Sequence, residues 1–185
     1  MSTLAQLPQL NATHTVSEAQ KQEYRKNGHT LLRHILTEDE MAAYRPVIND
    51  AAYRYNTEKR KMEERDTYGK AFLQIMNLWE VDEPIRNFVL AKRFAKIAAE
   101  LMGVENVRLY HDQALYKEPG GGPTPWHQDQ YYWPLDTANT ITMWMPLVDI
   151  TVDMGMLTFA SGSQELGFMG NLEISDESEE ALGNV

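Results

Sequence analysis

Residues 124–134 read TPWHQDQYYWP, and they directly follow the glycines of EPGGGP at 118–123. On an extended backbone, residues i and i+2 project from the same face, so His127 and Asp129 point together while Gln128 points away. An imidazole nitrogen and a carboxylate oxygen on one face are two ligands for one ion, of the borderline-to-hard kind that suits Fe(II), Mn(II) or Zn(II). A bare H-x-D is also what a hydrogen-bonded surface pair looks like, so the surroundings must decide. Whether the stretch is a strand of a metal-binding β-domain therefore sets the fold expected for the whole chain.

Outward from this stretch, residues 104–175 break into short runs, NVRLYHDQALYKE, TPWHQDQYY, NTITMWMPLVD and GMLTF, separated by Gly, Pro and Asp turns. Such spacing predicts a β-rich half, of sandwich or jelly-roll type. Residues 17–103 read differently. Ser17 with Gln20, and Thr37 with Glu40, are capping boxes that open helices, the first running about 17–27 to a stop at Gly28. Met41, Tyr44, Ile48, Ala51 and Tyr55 mark a buried stripe on the second helix, in which Pro46 is expected to produce a kink or a split. HTLLRHIL (29–36) and AFLQIMNLW (71–79) read as strands. TEKRKMEERDTYGK (57–70) reads as a solvated helix end running into a loop. Asp82 caps a short helix around Pro84 to Leu90, and Phe94, Ile97, Ala98 and Leu101 lie at helical spacing before Gly103. The last ten residues, DESEEALGNV, read as a frayed acidic tail (176–185).

The chain has 185 residues, 43% of them hydrophobic, which fits one domain over 1–185 with a sizeable core. No apolar run approaches the ~20 residues of a membrane span, and MSTLAQLPQLNATHT lacks a secretory leader's basic start and apolar centre, so a cytoplasmic protein is expected. The absence of cysteine leaves His and carboxylates as the strong metal ligands. All 17 Lys and Arg lie in residues 1–117, against 16 acids; residues 118–185 hold 11 acids and no cation. That acidic half repels phosphate backbones and anionic lipids, which argues against nucleic-acid and membrane partners. PGGGP lacks the G-K-[ST] ending of a phosphate loop and reads as a plain connection.

LYKEPGGGPTPWHQDQYYWP followed by TMWMPLVDITVDMGMLTFASGS resembles the phytanoyl-CoA dioxygenase family of Fe(II)- and 2-oxoglutarate-dependent oxygenases, weakly from about Glu23 and strongly over 107–163. The resemblance implies an α+β, mainly β architecture: a double-stranded β-helix, or jelly roll, with the N-terminal helices packed on one side. It makes His127 and Asp129 iron ligands and places Gln113, Trp144 and Lys117 at the 2-oxoglutarate pocket. The substrates it implies are O2 and a small organic molecule, and the intact Asp129 carboxylate points to hydroxylation, since related halogenases carry a small residue there. Trp126, Tyr131, Tyr132 and Trp133 either wall the substrate cavity or pack as ordinary core.

Relatives place a distal His and a 2-oxoglutarate-binding Arg beyond the equivalent of Ser163, whereas here no His follows His127 and no Arg follows Arg108. About five strands are countable where a closed jelly roll needs about eight. The sequence therefore reads as a C-terminally shortened oxygenase, with a degenerate, non-catalytic module as the alternative. A metal-dependent hydrolase or isomerase using the same pair is a third reading. His111 shares the parity of Gln113 and is the candidate substitute ligand, weighed against a packed or hydrogen-bonded histidine.

Overall fold

The computed structural model describes residues 7–183. Residues 1–6 and the end of the acidic tail (184–185) lie outside the described residues. In chain order the elements are α1 (Glu18–Asn27), α2 (Glu38–Tyr55), α3 (Thr67–Ala71), β1 (Leu73–Met76), α4 (Leu78–Val81), α5 (Glu83–Val89), α6 (Lys92–Met102), β2 (Gln113–Tyr116) and α7 (Asp176–Leu182). Short 3-10 turns occupy Met62–Glu64, Asp129–Tyr132, Val152–Met154 and Ser163–Leu166.

The helix boundaries follow local chemistry. Both capping boxes form: the Ser17 hydroxyl accepts from the Gln20 amide at 3.3 Å and the Thr37 hydroxyl from the Glu40 amide at 3.2 Å. Asp82 accepts from the Ile85 amide at the start of α5, and Gly103 ends α6 in the left-handed region. Pro46 does not split α2, which is continuous. Gly28 ends α1 at φ +79°, and a Cβ there would run into the Gln164 carboxamide. Gly28→Ala is therefore expected to lose about 1–2 kcal/mol, read as a lower urea midpoint at unchanged slope.

One core accounts for most of the burial. Tyr44, Ile48 and Ala51 of α2 pack against Ile75 of β1, Leu78 of α4, Ile85 and Phe88 of α5 and Phe94 of α6. Tyr44 tilts onto Phe88 at 4.9 Å, and Phe88 meets Phe94 edge-on at 5.2 Å. Arg93, buried among them, donates to the Ala12 and Ile35 carbonyls and to both oxygens of Glu40, at 2.7–2.8 Å. Tyr55, expected within the buried stripe, is exposed.

The β half differs from expectation. The sheet among the described residues has two antiparallel strands, with Leu73 opposite Tyr116 and Met76 opposite Gln113. AFLQIMNLW thus contains a strand, but HTLLRHIL does not: His34 takes φ +57° and the Ile35 carbonyl is spent on Arg93 rather than on a neighbouring strand. Residues 117–175 carry turns and irregular backbone, so the expected jelly roll is not formed among the described residues. After Leu101, Ile174 is the one core hydrophobic among them, while ten large apolar residues from Met143 to Phe168 are exposed. Strands are stabilised by neighbours that pair their edges and cover their faces; Ile141, Met145 and Leu147 do pack against the helical core, but no strand pairs with these segments among the described residues.

Two further expectations fail locally. The charged stretch 57–70 buries Arg65, which pairs with Glu118. The acidic tail is not frayed but forms α7, because Ser175 and the fully buried Ser178 make a third capping box and the acids lie at the favourable end of the helix dipole. No helix among the described residues is long and apolar enough to cross a membrane.

Candidate metal centre

His127 and Asp129 do not sit on a paired strand, yet they face each other. Gln128 has φ −110° and ψ 127°, an extended residue, and Asp129 begins the 3-10 turn after it. One extended residue suffices to put its two neighbours on one side, and His127 Nε2 lies 3.3 Å from Asp129 Oδ1. Two donors held about 2.0–2.2 Å from one ion at right angles are separated by about 3 Å, so the spacing fits two adjacent positions on a single metal.

The other imidazole nitrogen is committed. His127 Nδ1 is 2.8 Å from the Pro125 carbonyl, which can only accept, so Nδ1 carries a proton and Nε2 is left with the lone pair when the ring is neutral. This is the arrangement that orients a metal-binding histidine. Burial of the ring opposes its charging, but the bonds to Asp129 and Pro125 outweigh that and hold the imidazole above its ordinary value. The Asp129 side chain is 48% exposed, and Thr142 approaches its second oxygen at 3.5 Å.

No third ligand joins them: among the described residues no group of three His, Asp or Glu is placed to hold a metal. His111 contacts Gln113 at 3.2 Å and meets the Trp133 ring edge-on at 6.2 Å. It is thus the hydrogen-bonded, packed histidine rather than a member of a three-ligand cluster.

The residues expected around the co-substrate are dispersed. Gln113 is exposed, with its amide on His111. Lys117 donates to the Ala71 and Gly122 carbonyls at 2.9 and 2.7 Å and lies over the Phe72 ring, and burial lowers its pKa. It ties down the glycine loop. Trp144 is 38% exposed. Among the described residues, no hydrogen bond or ring contact joins any of the three to His127 or Asp129.

The aromatic residues are better organised. Tyr132 stacks on Tyr68 of α3 at 5.7 Å, meets Tyr131 edge-on at 4.8 Å and accepts the Ile174 amide at 2.7 Å. Trp133 packs edge-on against Tyr110 at 6.3 Å, and Trp126 donates its backbone amide to Glu179 of α7 at 2.8 Å. Tyr68 and Glu179 were not singled out in the sequence, since neither spacing nor composition signals a contact across more than fifty residues. A groove of about 420 Å³ opens beside the pair, between Thr67, Lys70, Thr124, Pro125, Asp176 and Glu179. It is lined by Pro125 but by neither candidate ligand.

A facing imidazole and carboxylate are two of the donor types that a 2-His-1-carboxylate metal site uses. The chain belongs to the phytanoyl-CoA dioxygenase (PhyH) family, which it matches over residues 24–180 and whose fold is cupin-like. It is also similar to a probable alpha-ketoglutarate-dependent hypophosphite dioxygenase of Stutzerimonas stutzeri, with 25% identity over 83 residues, 45% of this chain. The matched stretch spans 29% of that protein's length. No solved structure gives a significant match.

Proposed function

We propose that the protein is an Fe(II)- and 2-oxoglutarate-dependent dioxygenase of a small molecule. The single observation that carries this reading is the 3.3 Å approach of His127 Nε2 to Asp129 Oδ1 with Nδ1 already bound to Pro125. Family membership and the likeness to a 2-oxoglutarate-dependent relative support it.

In this reading His127 binds the metal through Nε2 and Asp129 through Oδ1. The Pro125 carbonyl fixes the imidazole's orientation and keeps the proton on the nitrogen that faces away. Tyr131, Tyr132 and Trp133, at the exit of the ligand loop, offer an apolar wall for substrate, and Tyr68 extends it. When bound, iron with 2-oxoglutarate supplies an O2-dependent oxidation of substrate coupled to release of CO2 and succinate. The protein's share is to hold the group, orient the substrate and limit water.

The cation-free segment 118–185 offers little to the phosphates of coenzyme A, which favours a substrate without that group. The test is succinate release from the chain with Fe(II), 2-oxoglutarate and O2. The expected result is turnover that requires all three; turnover without O2 would instead favour a hydrolase or isomerase.

A second reading, a non-catalytic module, is favoured by the lack of a third ligand among the described residues. Two ligands alone hold Fe(II) loosely. The two readings are separated by an anaerobic titration with Fe(II) and 2-oxoglutarate. An oxygenase develops a weak visible charge-transfer band, and a module that has lost the metal does not.

A further inference from the structure

Gln128 stands between the two candidate ligands and turns away from them. Its carboxamide donates from Nε2 to the Gly167 carbonyl at 2.8 Å, and its Oε1 accepts the Met169 amide at 2.8 Å. One side chain thus satisfies a donor and an acceptor on a distant segment, as a paired strand would do with its backbone. The extended torsions of Gln128 place His127 and Asp129 on one side, yet no sheet holds that backbone. The receiving segment is shaped for the contact: Gly167 and Gly170, on either side of Met169, take φ +69° and +105°, which side chains disfavour. Two further ties flank the ligands, Trp126 amide to Glu179 and Ile174 amide to Tyr132.

We propose that Gln128 is a positioning residue, which clamps the 167–169 backbone and thereby keeps the His127 imidazole and Asp129 carboxylate facing each other. As far as it concerns metal affinity, the proposal rests on the metal reading above. The chemistry requires a carboxamide, because the fork must offer one acceptor and one donor. A carboxylate keeps the Met169 bond and repels the Gly167 oxygen; a methionine of similar length loses both.

The test uses the full chain with Gln128→Met and Gln128→Glu and has two readouts. The first, without metal, is the His127 tautomer from long-range nitrogen–proton correlation spectra at one pH at which the ring is neutral in all three proteins. The second is Co(II) affinity by titration. Wild type is expected to show one tautomer protonated at Nδ1. Gln128→Met is expected to show a mixture and to lose about tenfold or more in Co(II) affinity, within the range for losing an outer-shell partner. Gln128→Glu is expected to fall between them. A merely structural role would lower the melting temperature and leave the tautomer unchanged.

A single Nδ1–H tautomer retained in Gln128→Met overturns the proposal, whatever the Co(II) result. If wild type takes up no Co(II) while Gln128→Met loses the tautomer, the metal reading fails and the clamp stands.

Discussion

Replacing Asp129 with alanine is expected to abolish Fe(II) binding and leave the fold intact. The carboxylate is one of two donors facing the same point, 3.3 Å from His127 Nε2. Without it a lone imidazole remains, and affinity should fall by more than about 100-fold, beyond the range for losing an outer-shell partner. Asp129 contributes little to folding: its side chain is 48% exposed, and its contact with Thr142 is long at 3.5 Å. At a pH where the His127 ring is neutral, the stability change should therefore stay within about 0.5 kcal/mol. Metal titration and urea unfolding of the same sample check both halves. Wild-type metal retention by Asp129→Ala would refute the assignment, and unfolding would show a structural carboxylate instead.

The largest stability effect is expected at Arg93, far from the candidate metal centre. Arg93→Met leaves the Glu40 carboxylate without its partner in a site where the two side chains are 13% and 7% exposed. It also orphans the Ala12 and Ile35 carbonyls, which Arg93 holds at 2.8 Å. Removing one member of a buried pair costs about 3–5 kcal/mol, a large share of the roughly 5–15 kcal/mol that holds a domain together. Urea unfolding measures it, and a loss below about 1 kcal/mol would contradict the account.

The same pair gives a pH signature. Arg93's hydrogen bonds, the largest influence, hold the Glu40 carboxyl below its ordinary value of 4.5 against the opposing effect of burial, and the Thr37 amide adds to the lowering. A depressed folded value means stabilisation that is present above pH 4.5 and lost as pH falls through the folded value. In Arg93→Met this acid-labile increment should vanish, so stability should fall less steeply below pH 4.5 than in wild type.

What could be read from the sequence was what one or two turns of chain decide. The Ser17 and Thr37 capping boxes, the Asp82 cap and the stops at Gly28 and Gly103 each depend on residues within four positions. The facing of His127 and Asp129 belongs to the same class, because it needs only one extended residue between them, and it arose without the strand expected to supply it.

What failed needed distant partners. The expected strands at 29–36 and through most of 104–160 were read from short runs between turns but pair with no neighbouring strand, and the carbonyl of Ile35 went to an arginine fifty-eight residues away. Residues 176–182 looked too acidic to order, yet Ser178 is fully buried and Glu179 reaches the Trp126 amide. The clamp from Gln128 to Gly167 and Met169 was equally hidden, since a glutamine on the outward side of a strand gives no hint of its partner. For the same reason Tyr68, in a charged stretch, gave no sign of stacking on Tyr132.

The most direct test of the central claim is the proton NMR spectrum of the Co(II)-loaded chain. The account predicts strongly shifted resonances that assign together to the His127 ring, including its exchangeable Nδ1 proton, and to the β protons of Asp129. Shifted signals on other residues alone, or a shifted histidine without Asp129, would contradict it.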